Sequence, residues 1–374
     1  MHIDEILNLA VEIGASDVHI TVGTPVMMRL DGTLLKITEI TDRKETVNFL
    51  NDFPEWKETI NGDMSSFLIK QLFKEDKKYD EYLKKRNYDF AYETESGLRF
   101  RVNSFFQKNN QAVILRALPK KIPDIKELFS FFPEMMMTLY RFAQLPYGLV
   151  LVTGPTGSGK STTLASLVNY INEKYHKHII TLEDPIEYLH FHKNSEVNQR
   201  EIGTDVLSFA EGLRAALRED PDVILVGEMR DPETISTALE AARTGHLVLS
   251  TLHTNTAAET IDRIINVFPP EQQNNIRTDL AEVLQGVISQ QLLKRKEGNG
   301  RVLAAEILVV NSSIRALIRE GKIHQINNAI QTGRDDGMIL MAKSLSELIK
   351  KGLITMEAAK EKIGDEKMLG RYFG

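Results

Sequence analysis

Hydrophobic residues change their spacing several times along the 374-residue chain, and each change marks an element. Ile3, Ile6, Leu7, Ala10 and Ile13 share one helical face, and Gly14 is placed to stop that helix. The period then falls to two: Val18 to Val22 alternates, and Pro25 to Leu30, Asp31-Gly32 and Thr33 to Ile37 read as a hairpin. Residues 41–86 are polar, carry lysine-rich pieces and are predicted helical. Strands predicted at Tyr88 to Tyr92, Leu98 to Phe106 and Ala112 to Leu118 complete a small α+β domain over residues 1–118. Pro119, Pro123, Pro133 and Pro146 break up a linker over 119–146, which holds one helix around 134–144.

From residue 147 the pattern is different. Apolar runs at 149–153, 178–183, 222–227 and 246–252 alternate with helix-period segments, which predicts an α/β domain built on a parallel sheet. Beyond 257 the chain reads as mostly helical, interrupted by one strand at Arg301 to Val310, so the domain is drawn over 147–374 with a helical C-terminal region. Ligands on such sheets sit beyond the carboxyl ends of the strands. The polar residues there are the loop 154–161, Glu183-Asp184, Glu228 and His253.

Gly154, Pro155, Thr156, Gly157, Ser158, Gly159, Lys160 and Ser161 fit the phosphate-loop pattern, with Thr162 just behind. An apolar run, 148–153, precedes them; Leu164, Leu167, Val168 and Ile171 follow as one helical face. Such a loop turns backbone N–H groups inward at a helix N-terminus and cradles an anion. Lys160 should reach the β- and γ-phosphates of ATP, and the Ser161 hydroxyl should ligate Mg²⁺. Val223 to Glu228 is an apolar strand ending in an acid, a Walker B pattern with Glu where Asp is more usual. That acid suits either a base for the attacking water or a Mg²⁺ contact through water. Glu183, Asp184 and Glu187 form a second acidic cluster, which composition alone reads equally as a cap and solvated turn. His246 and His253 bracket a strand seven apart, so only one of them faces a nucleotide.

Composition narrows the classes. Hydrophobic content of 42% supports a real core, and a net charge of −6 gives no basic field for nucleic acid. In the first 118 residues acidic side chains outnumber basic ones. The chain has no cysteine, which removes disulfides, thiolate zinc and cysteine nucleophiles. No apolar stretch approaches a membrane span, and the acidic N-terminus is unlike a signal peptide, so a cytoplasmic protein is expected.

Four stretches together, Gly154 to Ser161, Thr181 to Glu187, Arg218 to Asp231 and Thr244 to Thr254, resemble the Walker A, Asp, Walker B and His boxes of secretion-superfamily hexameric ATPases. Gly14 to His19, Arg99 to Asn103 and Ser313 to Lys322 extend the resemblance to the type IV pilus retraction ATPases within it. The resemblance implies a PAS-like N-terminal domain, a RecA-like ATPase domain and a homohexameric ring with nucleotide between the two domains. It implies ATP and Mg²⁺ as cofactors. The partners would be an inner-membrane pilus platform protein and, indirectly, pilin, which places the protein peripherally at the inner membrane. Glu228 would be the catalytic glutamate, Glu183 part of the Mg²⁺ and water network, and His253 a γ-phosphate sensor, beside Lys160. Arg99, Arg101 and Arg116 stand where the family supplies arginines to the phosphates; cross-strand pairing on a sheet face would explain them as well. Residues 41–86 look longer than in the family, and Ser313 and Ala316 replace its usual Ala and Asn. Arg315 and Arg319, four apart, would present a basic face to an acidic partner loop, or only to solvent, while Ile314, Leu317 and Ile318 pack inward.

A nucleic-acid translocase is the reading from another class, and the lack of a basic domain speaks against it. Pilus-extension and secretion ATPases usually carry a long extra N-terminal region and a tetracysteine zinc site, which this sequence lacks.

Overall fold

The computed structural model describes residues 1–297, 300–363 and 370. The end of the expected 147–374 region beyond 363, Gly370 apart, lies outside the described residues. The chain divides into two units, Met1–Lys121 and Ile122–Gly374.

In the first unit, α1 (Ile3–Glu12) leads into the antiparallel strands β1 (Asp17–Ile20), β2 (Met27–Leu30) and β3 (Thr33–Lys36). Helices α2 (Lys44–Asp52), α3 (Gly62–Gln71) and α4 (Asp76–Lys85) follow, then β4 (Asn87–Glu93), β5 (Arg99–Gln107) and β6 (Asn110–Ala117). The six strands form one sheet in the order β3-β2-β1-β6-β5-β4. Ile3, Ile6, Leu7 and Ala10, the periodic face of α1, are buried with Trp56, Tyr82 and Phe100. Residues 41–86 belong to this core and are not a solvated appendage: Leu50, Trp56, Leu68, Ile69 and Leu72 are each buried.

The second unit opens with α5 (Ile125–Leu128) and α6 (Pro133–Ala143), then alternates strand and helix: β7 (Gly148–Thr153), α7 (Lys160–Lys174), β8 (His178–Glu183), β9 (Glu196–Glu201), α8 (Phe209–Ala216), β10 (Val223–Val226), α9 (Pro232–Arg243) and β11 (Leu247–Leu252). Beyond lie α10 (Ala257–Asn266), α11 (Pro270–Val283), β12 (Leu284–Lys294), β13 (Arg301–Val309), α12 (Ser312–Arg319), α13 (Ile326–Thr332), α14 (Met341–Lys350) and α15 (Met356–Ile363). The sheet runs β13-β12-β7-β11-β10-β8-β9, parallel except where β13 pairs with β12. Helices cover both faces, which is why β7 is buried throughout and apolar up to Thr153. Leu149 and Leu151 enter the core with α8 to α13, while Val150 and Val152 enter the one with α6, α7 and α14.

Three elements depart from the sequence reading: α5 adds a second helix to the linker expected to hold one, and two strands differ. Residues 284–294, expected to be helical, are the strand β12. Leu284, Val287, Ile288 and Leu292 are spaced as on a helix, but the strand is covered on both faces, so apolar residues point both ways. β9 was not expected, because Glu-Val-Asn-Gln-Arg-Glu shows no apolar alternation; it is an edge strand held by pairing to β8. Among the described residues no helix is long and apolar enough to cross a membrane.

Candidate active site

The loop between β7 and α7 is built around close backbone approach. Gly154 has φ +144, and a Cβ there would lie 2.3 Å from the Gln290 carbonyl oxygen, so the position requires glycine. Lys160 opens α7 in a buried position, its Nζ donating to the carbonyls of Gly154 at 2.8 Å and Pro155 at 3.1 Å. Burial holds its ammonium below the ordinary lysine range, opposed in part by the charges of Glu187 and Glu228. Two neutral carbonyls do not balance a buried cation, so the loop favours an anionic ligand at the helix start. Leu164, Leu167, Val168 and Ile171 anchor that helix in the core.

Glu228 follows β10 and is pinned from both sides. The Gly227 N–H donates to the Leu182 carbonyl at 2.8 Å, the Gly227 carbonyl accepts from Thr251 Oγ1 at 2.6 Å, and the Met229 N–H donates to the Thr251 carbonyl at 3.3 Å. The Glu228 carboxylate lies 2.5 Å from Arg230 Nε and 3.5 Å from His253 Nε2. Burial and the charge of Lys160 hold the His253 imidazole below its ordinary range, with Glu228 pulling it back up. His253 is therefore neutral near pH 7, able to donate from one ring nitrogen. His246, at the start of the same strand, sets its Nδ1 2.9 Å from the Ala241 carbonyl at the end of α9. Of the two histidines His253 meets the carboxylate, while His246 lies at the opposite end of β11.

Glu183 ends β8 half-buried. Burial pushes its carboxyl above the ordinary range, against hydrogen bonds from Thr181 Oγ1 at 2.7 Å and Gln199 Nε2 at 3.1 Å. Thr162 Oγ1 and the Tyr188 hydroxyl lie 2.8 Å apart and tie the first turn of α7 to the segment after Glu183. Lys160, Glu183, Glu228 and His253 thus stand at the carboxyl ends of β7, β8, β10 and β11, neighbouring strands of one parallel sheet.

Arg116 and Arg101 occupy a ladder in the first unit, with Arg29, Asp17, Arg116 and Arg101 directly opposite one another across β2, β1, β6 and β5. Arg116 Nε donates to Asp17 Oδ1 at 2.9 Å, and Arg29 Nε is 3.8 Å from Asp17 Oδ2. Arg99 Nε is 3.9 Å from Glu93 Oε2. Cross-strand pairing therefore accounts for Arg99 and Arg116, whereas Arg101 is exposed and has no ion pair among the described residues. In α12, Ile314 and Ile318 are buried as the apolar stripe requires. Arg315 does not project: Nη1 donates to the carbonyls of Ala281 at 2.6 Å and Glu282 at 2.5 Å, and Nη2 to Gln285 Oε1 at 3.1 Å, so it caps the end of α11. Arg319 is exposed.

Sequence reasoning missed Arg230, Gln199, Tyr188 and Gln290. Arg230 lies within the Walker B box and its two-residue spacing from Glu228 was available as a signal; the others carry no motif and act through tertiary contacts alone.

Fold and site together define a phosphate-loop ATPase with a RecA-like core. Residues 89–361 match the family of type II/IV secretion system proteins. The chain is 46% identical to the type IV pilus retraction ATPase PilT of Pseudomonas aeruginosa, over 97% of this chain and 98% of that one. It is 53% identical to a twitching motility protein of Neisseria gonorrhoeae, over 73% of this chain and 72% of the relative. Among solved structures it resembles the pilus retraction motor PilT with bound ADP, at TM-score 0.86, 46% identity and 99% coverage of both chains. It also resembles the Legionella pneumophila ATPase DotB, at TM-score 0.78, 30% identity and coverage of 96% and 95%. The chain belongs to the type II/IV secretion system protein family and, within it, to the PilT-like type IV pilus retraction ATPases, which bind nucleotide and hydrolyse ATP.

Proposed function

We propose that the chain is one subunit of a homohexameric ring in which ATP hydrolysis drives pilus retraction and return of pilin to the membrane. The partner is an inner-membrane platform protein, which holds the ring at the cytoplasmic face. The near full-length likeness to a retraction ATPase carries this reading.

In this reading the N–H groups of residues 154–161 cradle the phosphates, and Lys160 exchanges the Gly154 and Pro155 carbonyls for phosphate oxygens. Glu228 takes the proton of the attacking water. His253, neutral, holds that carboxylate until the γ-phosphate offers a competing acceptor. The Ser161 hydroxyl would hold Mg²⁺, with Glu183 behind it through water. Among the described residues no group of three or more His, Asp or Glu side chains gathers to hold a metal by itself. Mg²⁺ held there would supply positive charge against the phosphate groups. Arg99, Arg101 and Arg116 of the PAS-like first unit add positive charge to the phosphates, and Arg101, exposed and unpaired among the described residues, is the one free to do so without breaking an ion pair.

Deletion of the gene should leave the source cell hyperpiliated and without twitching motility. A wild-type copy should restore retraction and a Lys160→Ala copy should not. Normal piliation and twitching in the deletion strain would sink the reading.

A further inference from the structure

Gln290 lies on β12, the strand that the sequence pattern disguised, and is 1% exposed. Its Nε2 donates to the Ser158 carbonyl at 2.9 Å, and its Oε1 accepts from Thr163 Oγ1 at 3.0 Å. Both halves of one buried amide are therefore committed, one to the phosphate loop and one to the helix behind it.

The bond to Ser158 has a directional consequence. In a trans peptide the C=O and N–H point in opposite directions. A Ser158 carbonyl tied to β12 turns the Gly159 N–H the other way, away from Gln290. That N–H has no protein acceptor among the described residues. Gly159 sits at φ +89, where glycine is at ease on either side of a peptide inversion. Without a bond to the Ser158 carbonyl, the 158–159 peptide is free to turn its N–H away from the ligand and present an oxygen instead.

We propose that Gln290 is a positioning residue for nucleotide binding: it fixes the Ser158–Gly159 peptide so that the Gly159 N–H faces the phosphates, and Thr163 fixes the amide of Gln290. The proposal rests on the reading of residues 154–161 as the phosphate cradle. A purely structural role, holding β12 against the loop, predicts different behaviour. It lowers stability and the fraction of active protein, which reduces kcat and leaves KM and nucleotide affinity alone.

The test is calorimetric titration of ADP into the purified full chain, with steady-state ATPase kinetics alongside. Gln290→Met keeps the volume and removes the donor. The ADP dissociation constant and the KM for ATP should rise about tenfold, more than kcat falls, the loss expected for one buried hydrogen bond and a freed peptide. Thr163→Val should raise both about threefold, since it loosens the amide without removing it. Because Thr163 acts through Gln290, the double variant should be no weaker than Gln290→Met alone. Folded Gln290→Met with ADP affinity within about twofold of wild type overturns the proposal. If Gln290→Met does not fold, Thr163→Val decides: raised KM supports the proposal and unchanged KM overturns it. Lys160→Ala separates the two readings. If it binds ADP like wild type, the phosphate-cradle reading falls and the proposal with it; if it loses ADP while Gln290→Met keeps it, only the proposal falls.

Discussion

Glu228 is clamped in position by backbone bonds to both flanking strands and balanced by Arg230 and neutral His253. Its backbone does not depend on its charge, so Glu228→Gln should leave the site assembled. The amide keeps the shape and loses the basic oxygen, and the variant should bind ATP while turnover drops by roughly 10²–10⁴. Nucleotide binding and single-turnover hydrolysis measured together check this. A variant that no longer binds ATP would make Glu228 a metal or structural residue and move the base to Glu183. His253 adds a pH expectation. Its pKa is depressed, so the limb that His253 puts on the turnover profile should fall on the acid side of about 6.5. At this scale the sequence was informative where chemistry sits at a strand end after a motif, as for Lys160, Glu228 and His253. It was silent on Gln290, whose role exists only because β12 lies beside β7.

At the scale of elements, the β12–β13 pair frames the site from one side. β12 supplies Gln290, and Ser289 Oγ lies 2.8 Å from Thr153 Oγ1 at the end of β7. On β13, opposite Ser289, the fully buried Glu306 accepts the N–H of Ala257 at 2.9 Å and of Met341 at 3.4 Å, the first residues of α10 and α14. One carboxylate thus caps two helix starts, one of them only four residues beyond His253. Strands β7, β8, β10 and β11 could be read because apolar runs bounded by turns stand out; β12 could not, because a doubly covered strand has no alternation to distinguish it from a helix. Glu306→Gln should destabilise by about 1–3 kcal/mol, since an amide offers one acceptor oxygen and leaves the other helix start facing an NH₂ group. Burial raises the Glu306 pKa above its unfolded value, so its contribution is greatest in acid and fades as pH rises through the folded pKa. The stability gap between wild type and Glu306→Gln, measured by urea unfolding from mild acid to neutrality, should shrink as pH rises. A gap that widens with pH would contradict the assigned direction.

At the scale of the whole molecule, a motor must pass nucleotide state to a surface that a partner touches, and α12 is the basic helix face singled out for that contact. The two arginines that sequence spacing placed on one docking face separate in the structure. Arg315 is spent on the C-terminal carbonyls of α11, directly before β12, where burial and the neighbouring charge of Arg319 lower its pKa. A carboxylate in its place would face the negative end of that helix, so Arg315→Glu should lose stability by roughly 1–3 kcal/mol and ATPase activity with it. Arg319 is exposed, one turn further along, with Ser312, Ser313 and Lys322 exposed on the same short segment. Lys322 is already matched, 2.7 Å from Glu320, so in the proposed docking Arg319 would be the cation that α12 offers to an acidic partner loop. Arg319→Glu should leave the ATPase rate of the purified protein within about twofold of wild type, as surface substitutions away from packed groups usually do, and abolish pilus retraction in cells. The double variant cannot distinguish the two roles, because the Arg315 change alone disturbs the end of α11; the single variants can. If Arg319→Glu retracts pili normally, the face is only solvated. If it loses ATPase activity as well, α12 supports the catalytic unit itself, and force must leave the subunit through another surface.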